Sequence, residues 1–432
     1  MEGENSDASI EKDSFLRFFV GTEPFFENFS VWKVESDIVN REIVFRYPLG
    51  ATSLAENAQH VFPSAENLPD IEDQIFHMAT IMPTDGIRII DSLIFKTKGQ
   101  FNLTNENEIT IPKQTLLIMS IQSKYLHPST FRNILLHILN HLPYPKILND
   151  ELFSYIHPQI NRSIESTEIV GVPFDISSSA EIGRFHHFIF SSFKVNQVLH
   201  ILLYLLSSFT FHVMSVSTSQ LSIGCFSLLS LMYPIQWPDI FITALPEHSL
   251  EYVSPPYPYI IGLPVNLLSN HKLRDFTADV NINFDFADVV FNKSIQIDSR
   301  YAELIKSVES LIEEELKAYR TTNIFPAYKI QLYLWQYMTG IALITADLGQ
   351  TDLDPESFEI TLANALLKMS KKTPDSIPRN SIQRMLLESN VICHFCNGIL
   401  YSRTTKIPKA FFDVIKDLKP LMKAAYKKQK PL

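Results

Sequence analysis

Two cysteines near the C-terminus have the spacing that metal or redox chemistry uses. Cys393 and Cys396 stand three positions apart, with His394 between them, and this spacing is typical of half of a structural zinc site. Such a site needs four ligands, and the sequence contains no second C-x-x-C. Because positions i and i+3 share one face of a helix, we expect two apolar thiols packed in a core.

Histidines and aspartates form two further groups with metal-ligand spacing. His137 and His141 are one helical turn apart, but no third ligand is identifiable nearby, so we interpret them as ordinary surface or core residues. Asp347, Asp352 and Asp354 resemble a calcium loop only superficially, because the glycine and the bidentate glutamate of such a loop do not align. We expect a solvated turn there, and no metal ion, cofactor or covalent catalytic residue in the protein.

Composition disfavours further classes of protein. The chain of 432 residues has only 12 glycines, and it lacks the glycine-rich motifs whose backbone N–H groups bind phosphates. A self-contained nucleotide-binding enzyme is therefore disfavoured. A formal net charge of −10 gives no whole-chain basic footprint for nucleic acid, and three cysteines exclude a disulfide framework. The acidic N-terminus resembles no secretory or mitochondrial signal, so we expect a cytoplasmic protein.

The positions of these residues depend on the helices and strands that carry them. The first third of the chain has the sequence patterns of an α+β lobe. Strand-like alternation occurs at 42–48, 89–95 and 114–120. Apolar residues then recur at helical spacing from Phe131 to Leu142. We place this lobe at residues 1–145 and interpret the polar, proline-containing segment 146–180 as a linker with some short structure.

Residues 195–238 contain no Asp, Glu, Lys or Arg. This uncharged segment is long enough for one or two membrane-spanning helices. Eight serines interrupt the segment, however, and its apolar runs change period from helix to strand and back to helix. Flanking basic clusters and aromatic belts at both ends are missing. A buried helix–strand–helix unit is therefore favoured over a two-span membrane protein.

The central and final parts of the chain differ in their patterns. Short apolar strands, one of them at 280–286, alternate with helices through residues 181–298, which is typical of a mainly parallel sheet covered by helices. After residue 298 only helical patterns remain, at 301–319, 326–346, 355–370, 382–400 and 409–428. The predicted fold class is mixed α/β and α+β, multi-lobed, with a central α/β core at 181–298 and an all-helical part at 299–432.

An ordered string of residues between 200 and 290 resembles the central part of a DENN domain. It comprises Ser215, Leu221, Tyr233-Pro234, Trp237, Ile240-Phe241-Ile242, Leu245-Pro246, Leu250, Tyr252, Pro256-Tyr257-Pro258-Tyr259, Ile261-Gly262 and Asn283-Phe284-Asp285. Weaker resemblance to the upstream and downstream DENN elements extends over nearly the whole chain. Many DENN proteins carry an acidic–basic pair just before the central strand, where this chain has Ser208 and Phe209.

The resemblance implies a longin-like N-terminal lobe, a C-terminal lobe with a helical tail, and an activity. That activity is guanine-nucleotide exchange on a Rab-type small GTPase in vesicle trafficking, by binding of the nucleotide-free GTPase. The uncharged pair at Ser208 and Phe209 leaves a rival open, a non-catalytic GTPase-binding scaffold with the same fold.

Loops at the carboxyl ends of strands usually carry the binding residues of open α/β sheets. On that basis we predict GTPase contacts at Ser217, Glu247, His248 and Pro264, and the crevice between the two lobes is an equally good place. Four aromatic residues could instead form a binding surface but fit better as core or turn residues: Tyr233, Trp237, Tyr252 and Tyr259.

The last residues of the chain are rich in lysine. From Lys406 to Leu432 there are eight lysines against Asp413 and Asp417. Such a segment either forms a solvated face or makes a peripheral contact with an anionic vesicle or organelle membrane.

Overall fold

A computed structural model describes most of the two folded regions of the chain. The residues described are 27–34, 41–47, 61–62, 74–81, 88–104, 108–123, 128–141, 146–149, 167–169, 172–174, 178–233, 235, 237–253, 257–269, 277–348, 361, 364–365, 368, 377–379 and 381–395. The predicted helix within 355–370 lies largely outside these residues. Cys396 and the lysine-rich segment 406–432 lie wholly outside them.

The described residues of the N-terminal region form eight strands and one helix. They are β1 (Asn28–Val34), β2 (Arg41–Tyr47), β3 (Ile75–Ile81), β4 (Arg88–Lys96), β5 (Phe101–Thr104), β6 (Glu108–Ile111), β7 (Leu116–Ser123), α1 (Pro128–His141) and β8 (Lys146–Asn149). Five strands form an antiparallel sheet in the order β2-β1-β7-β4-β3, and β5 pairs with β6 and β8 in a smaller sheet. The predicted α+β character of this region is confirmed.

Alternation along β4 explains how the large sheet is buried on both faces. Leu93 belongs to the main core, which also contains Phe131 and Leu135 of α1, whereas Ile90 and Ile94 join a second cluster with Trp32. Successive side chains of a strand point to opposite faces, so β4 faces helix α1 on one side and the second cluster on the other.

The segment predicted as a linker begins with β8, which pairs with β5 of the N-terminal region. Among the residues described there it also holds the short antiparallel strands β9 (Thr167–Ile169) and β10 (Val172–Phe174). The next helix, α2 (Ser178–Ser192), begins before residue 181, where we placed the start of the central core.

The central region is an α/β layer. Its elements are α2, α3 (Val195–Leu206), β11 (Phe211–Ser215), α4 (Thr218–Met232), β12 (Ile240–Ile242), a 3₁₀ helix (Glu247–Val253), β13 (Tyr259–Pro264), a second 3₁₀ helix (Val265–Ser269), β14 (Val280–Asn283) and β15 (Asp288–Phe291). The sheet order is β12-β13-β11-β14-β15, and every pairing except that of β14 with β15 is parallel. The predicted mainly parallel sheet is therefore present, with helices packed on it.

Gly262 in β13 is required by the close approach of a neighbouring chain segment. A Cβ atom at this position would lie 2.0 Å from the carbonyl oxygen of Thr243. The Gly262 carbonyl also accepts a hydrogen bond from the backbone N–H of Leu245 at 2.7 Å. The segment after β12 thus rests directly on the β13 backbone.

The strand expected at 280–286 is shorter than predicted. β14 ends at Asn283, whose side-chain oxygen accepts hydrogen bonds from the N–H groups of Asp285 and Phe286 at 3.0 and 3.2 Å. Ala287 then has a φ of 51°, which returns the chain as β15. The turn is made by a side-chain acceptor competing with the strand ladder.

The described residues after 298 form α5 (Ser299–Thr322), α6 (Ala327–Thr345), α7 (Ile382–Leu387) and a short helical segment at 390–395. The side chain of Asp298 caps α5 by accepting from the N–H groups of Arg300 and Tyr301. The all-helical character of the remainder stays a prediction.

The helix expected at 382–400 is interrupted at Ser389. This hydroxyl accepts from the N–H of Ile392 at 3.3 Å and donates to the carbonyl of Leu206 at 2.6 Å. Ser208, at the turn after α3, lies 2.8 Å from the same hydroxyl and accepts from the N–H of Val391 at 3.0 Å. The new helix start is therefore docked on the α3–β11 turn.

Among the described residues, no helix on its own is both long and apolar enough to cross a bilayer. Gly183–Ser192 and Val195–Leu206 meet those criteria of length and composition only as a pair, and the pair is bent by 118°.

Helix α4 joins the central sheet to the N-terminal sheet. β3 is an edge strand of the N-terminal sheet, so its outer N–H and C=O groups need partners. Ser219 donates to the carbonyl of Phe76 at 2.6 Å, and Ser222 accepts from the N–H of Met78 at 3.2 Å. Thr243 completes the cover by donating to the carbonyl of Met78. Hydroxyl groups of the central region thus satisfy the edge of the other sheet.

Candidate functional site

The carboxyl ends of the parallel strands meet at one edge of the central sheet. Ser215 at the end of β11 is the register partner of Pro264 at the end of β13. On its other side β11 pairs with β14, with Met214 opposite Asn283. The turns that follow these strands therefore lie side by side, and we call this region the carboxyl edge.

Asp285 holds two of these turns together. One carboxylate oxygen accepts from the hydroxyl of Ser215 at 2.8 Å, and the other accepts from the N–H of Val216 at 2.8 Å. The Ser215 oxygen in turn accepts from the N–H of Ser217 at 3.0 Å. A carboxylate that bonds both a hydroxyl and a backbone N–H fixes the turn after β11 relative to the turn after β14.

The fixed turns present two apolar side chains to solvent. Val216 is 68% exposed and Phe286 is 80% exposed, and each is the chain neighbour of a residue in the Asp285 contacts. Two exposed apolar side chains on fixed turns make this edge a candidate contact surface for a partner. We refer to Val216 and Phe286 as the apolar pair.

The four residues predicted as GTPase contacts have different positions. Ser217 is the half-buried N-cap of α4, where its hydroxyl accepts from the N–H of Gln220 at 3.3 Å. Pro264 is buried in β13. Glu247 is half-buried at the start of the first 3₁₀ helix, and His248 follows it there, with a side chain outside the described set.

The strand register brings Ser217 and Pro264 to the same edge, because Pro264 is the register partner of Ser215 and Ser217 follows Ser215 by two residues. Glu247 and His248 follow β12, which is the outermost strand next to β13. Sequence reasoning pointed to the loops of this edge but did not include Val216, Asp285 and Phe286 among the predicted contacts. The sequence feature that could have indicated these residues is the run Asn283-Phe284-Asp285, whose polar side chains form the hydrogen bonds of the turn.

Buried histidines in the described regions are engaged in packing. Burial in apolar surroundings lowers the pKa values of His77, His186 and His212 to about 4, so these rings are neutral near pH 7. Within the described residues no group of three or more His, Cys, Asp or Glu side chains could hold a metal ion.

The cysteine prediction was wrong for Cys393, which is exposed and not packed in a core. The segment at 390–395 turns Val391 and Ile392 inward, and this leaves Cys393 and His394 on its outer face. Asp347, two residues after α6, has a φ of 53° and pairs with Arg300 at 3.2 Å on the surface. Asp352 and Asp354 lie outside the described residues.

The aromatic residues flagged as core or turn residues are so placed where the structure describes them. Trp237 and Tyr259 are buried, and Tyr233 is half-buried against the core. Tyr259 stacks on His212 with the ring centroids 5.6 Å apart. Phe209, at the position that departs from the DENN pattern, is buried with the ammonium of Lys293 4.6 Å from its ring centroid.

Comparison with known proteins identifies the domain. Residues 109–285 match the model of the DENN (AEX-3) domain, so the resemblance seen in the sequence is confirmed. DENN domain-containing protein 1B of Mus musculus is 30% identical over 149 residues, 32% of this chain and 19% of that protein.

Two further relatives show the same partial coverage. DENN domain-containing protein 1A of Homo sapiens is 30% identical over 98 residues, 22% of this chain and 10% of that protein. Elicitor of plant defense protein 1 of Gibberella zeae is 29% identical over 185 residues, 43% of this chain and 15% of that protein. The aligned part of the chain spans less than a fifth of the length of each of these three relatives.

Proposed function

The chain carries a DENN domain over residues 109–285, and from this premise we propose that it is a guanine-nucleotide exchange factor for a Rab-type small GTPase. It promotes GDP release by binding the nucleotide-free GTPase, at membranes of the trafficking pathway. The N-terminal antiparallel sheet with α1 corresponds in this proposal to a longin-like lobe, and the helices after residue 298 to the helical part of the module.

Exchange requires no bond to be made or broken. Binding of the factor weakens GDP affinity by the same ratio by which GDP weakens binding of the factor. A coupling free energy of about 4 kcal/mol would change nucleotide affinity roughly 10³-fold. The protein therefore needs a firm surface that fits one GTPase conformation better than another.

The observation that carries this proposal is the apolar pair held by Asp285. Val216 and Phe286 are exposed at 68% and 80%, while both turns beneath them are fixed by the carboxylate at 2.8 Å. A fixed apolar surface loses little conformational entropy on binding. The switch loops of the GTPase would rearrange against this surface, while the surface itself keeps its conformation.

Ser217 and Glu247 supply polar groups beside this surface, and His248 and Pro264 complete the predicted contact set. We place the GTPase on the carboxyl edge, with α4 linking that contact to the N-terminal sheet. The crevice between the lobes, where α4 covers β3, is then close to the bound GTPase and stays the alternative location.

The experiment measures release of fluorescent GDP from a panel of purified Rab GTPases, with and without the protein. Phe286→Ser should reduce the acceleration about tenfold or more, because an aromatic contact near the centre of an interface contributes about 2 kcal/mol. The matched control is Tyr257→Ser. Tyr257 is 64% exposed and precedes β13 at its amino end, so it should leave exchange unchanged.

A non-catalytic GTPase-binding scaffold is the second candidate, and the uncharged Ser208–Phe209 position favours it. A scaffold would prefer the GTP-loaded GTPase and would not accelerate GDP release. Binding to GTP-loaded Rab alone, with no acceleration on any member, would replace exchange with this function.

The lysine-rich segment from Lys406 to Leu432 adds a proposed peripheral contact with anionic membranes, each lysine near the surface contributing about 1 kcal/mol. Salt-sensitive vesicle binding that is lost on truncation after Pro408 would support it, and unchanged binding would exclude it.

A further inference from the structure

The turn between α5 and α6 is short and tightly bonded. Asn323 adopts the left-handed conformation with a φ of 54°, and its N–H donates to the carbonyl of Tyr319 at 2.8 Å. Two residues later the carbonyl of Phe325 accepts from the N–H of Ala327 at 2.9 Å, where α6 begins. These bonds hold the turn in one backbone path.

Phe325 anchors the turn to helix α2. Its ring lies 5.1 Å from the ring of His187 and 5.5 Å from that of Tyr319, edge to face in both cases. Nε2 of His187 lies 2.9 Å from the Tyr319 hydroxyl. With Phe325 turned inward, its chain neighbour Ile324 is left 74% exposed.

Two exposed basic residues precede this isoleucine at the end of α5. The sequence has no acidic residue between Glu315 and Asp347, and the side chains of Lys317 and Arg320 at the end of α5 are exposed. The carboxylate of Glu315 is already paired with Lys329 at 2.7 Å.

Helix α2 brings a further exposed arginine to the same place. A Cβ atom at Gly183 would lie 2.9 Å from the Cβ of Ala327, so α2 runs directly against the start of α6. Arg184 follows Gly183 and is exposed. Tyr328, one residue beyond Ala327, is 37% exposed.

We propose that this region, the hairpin tip, docks on an anionic lipid bilayer. It consists of Arg184, Lys317, Arg320, Ile324 and Tyr328. The isoleucine and the tyrosine ring enter the headgroup–acyl boundary while the cations contact anionic headgroups, as in interfacial anchors that combine apolar and basic side chains. Because the turn is bonded, its backbone adds little ordering cost on binding.

A bilayer fits the hairpin tip better than an acidic protein does. A stable protein interface buries about 800 Å² on each partner with an apolar centre. Ile324 and Tyr328 are the two apolar side chains of the hairpin tip, which is too little apolar surface for such a centre. Interfacial insertion needs only a few apolar side chains and a basic rim.

The hairpin tip is separate from the carboxyl edge, which Val216 and Phe286 form, and from the lysine-rich segment after residue 406. The proposal therefore holds or fails independently of exchange activity.

The test is sedimentation of the full chain with vesicles of phosphatidylcholine containing phosphatidylserine, compared with pure phosphatidylcholine. Arg320→Gln should weaken binding about fivefold, the ratio that corresponds to about 1 kcal/mol for one basic residue at an anionic surface. Ile324→Ser should weaken it by a similar factor, since less apolar surface enters the interface. Binding of the unaltered chain should require phosphatidylserine.

Two variants serve as matched controls. Lys306→Gln removes an exposed lysine from α5 far from the turn, and Tyr257→Ser removes an apolar side chain of similar exposure at the central sheet. Both should bind as the unaltered chain does, and circular dichroism should show the same unfolding midpoint for Ile324→Ser.

Three results would overturn the proposal. The first is the absence of phosphatidylserine-dependent binding by the full chain. The second is unaltered binding by both hairpin-tip variants, with or without loss on truncation after Pro408, since any membrane contact would then belong elsewhere. The third is an equal loss in the Lys306→Gln control, which would show a diffuse charge effect.

Discussion

The hydroxyl oxygen of Ser222 lies 2.8 Å from Nδ1 of His77, and 145 positions separate the two residues in the chain. Nε2 of the same ring lies 2.9 Å from the carbonyl of Val61. A carbonyl only accepts, so Nε2 carries the hydrogen and Nδ1 of the neutral ring accepts from Ser222. The serine oxygen also accepts from the N–H of Met78. One serine of α4 thus satisfies both a ring and a backbone group of β3.

Replacing Ser222 should therefore weaken the junction between the two sheets. Ser222→Ala leaves the buried N–H of Met78 and Nδ1 of His77 without partners, and the expected cost is about 2–3 kcal/mol of unfolding free energy. Urea denaturation followed by circular dichroism measures it. Ser227→Ala is the control. The Ser227 hydroxyl is buried in the same helix but donates only to the carbonyl of Ile223 one turn back, so its loss should cost under about 1 kcal/mol.

His77 should also make stability depend on pH. Burial lowers its pKa from 6.5 to about 4, so the unfolded chain binds the proton more tightly than the folded one. The contribution of His77 to the free energy of unfolding is then constant above pH 6.5. It falls as pH drops from 6.5 towards 4, by about 1.4 kcal/mol per pH unit for each such histidine.

His77→Gln should reduce the slope of the unfolding free energy against pH by the contribution of one histidine. The contributions of His186 and His212 should remain. Unfolding free energies measured at pH 7 and pH 5 test this. An identical pH slope in the variant would contradict the assignment of His77 as a buried neutral ring.

Gly262→Ala should be strongly destabilising. The added methyl group would meet the Thr243 carbonyl at 2.0 Å, and backbone atoms of two paired segments cannot separate cheaply, so a loss of about 3 kcal/mol or more is expected. Gly340→Ala gives the comparison, because its Cβ would meet only the side chain of Leu304, at 2.7 Å. That side chain can rotate, and the loss in thermal unfolding experiments should be smaller.

Asp285→Ala should impair the proposed exchange activity without large loss of fold. It removes the acceptor for the Ser215 hydroxyl and the Val216 N–H, at a cost of about 1–2 kcal/mol in stability. The turn that carries Val216 is then no longer fixed, and GDP release from the responsive Rab should slow roughly tenfold, by 1.4 kcal/mol per tenfold. Asp288→Ala, in the neighbouring exposed strand position, should leave the rate unchanged. Equal rates for both variants would mean that Asp285 does not organise the contact surface.

The pattern of apolar residues determined most of the secondary structure before any contact was known. The period-two runs at 89–95 and 114–120 and the helical spacing from residue 131 to 142 are properties of the local sequence, and β4, β7 and α1 follow them. The uncharged segment 195–238 likewise reads as helix, strand and helix, because buried elements with short lengths carry those periods regardless of their neighbours. The ordered string from Ser215 to Asp285 was enough to identify the DENN domain.

Only the tertiary structure decided which polar residues became structural and which surfaces stayed open. Ser219, Ser222 and Thr243 look like ordinary core hydroxyls in the sequence, and their partners on β3 are set by how the two sheets pack. Asp285 likewise acquires its role from the parallel register that puts β11 beside β14. Exposure of Val216, Phe286 and Ile324 depends on which neighbouring side chains turn inward, and local periodicity cannot report it because it holds no information on contacts distant in sequence.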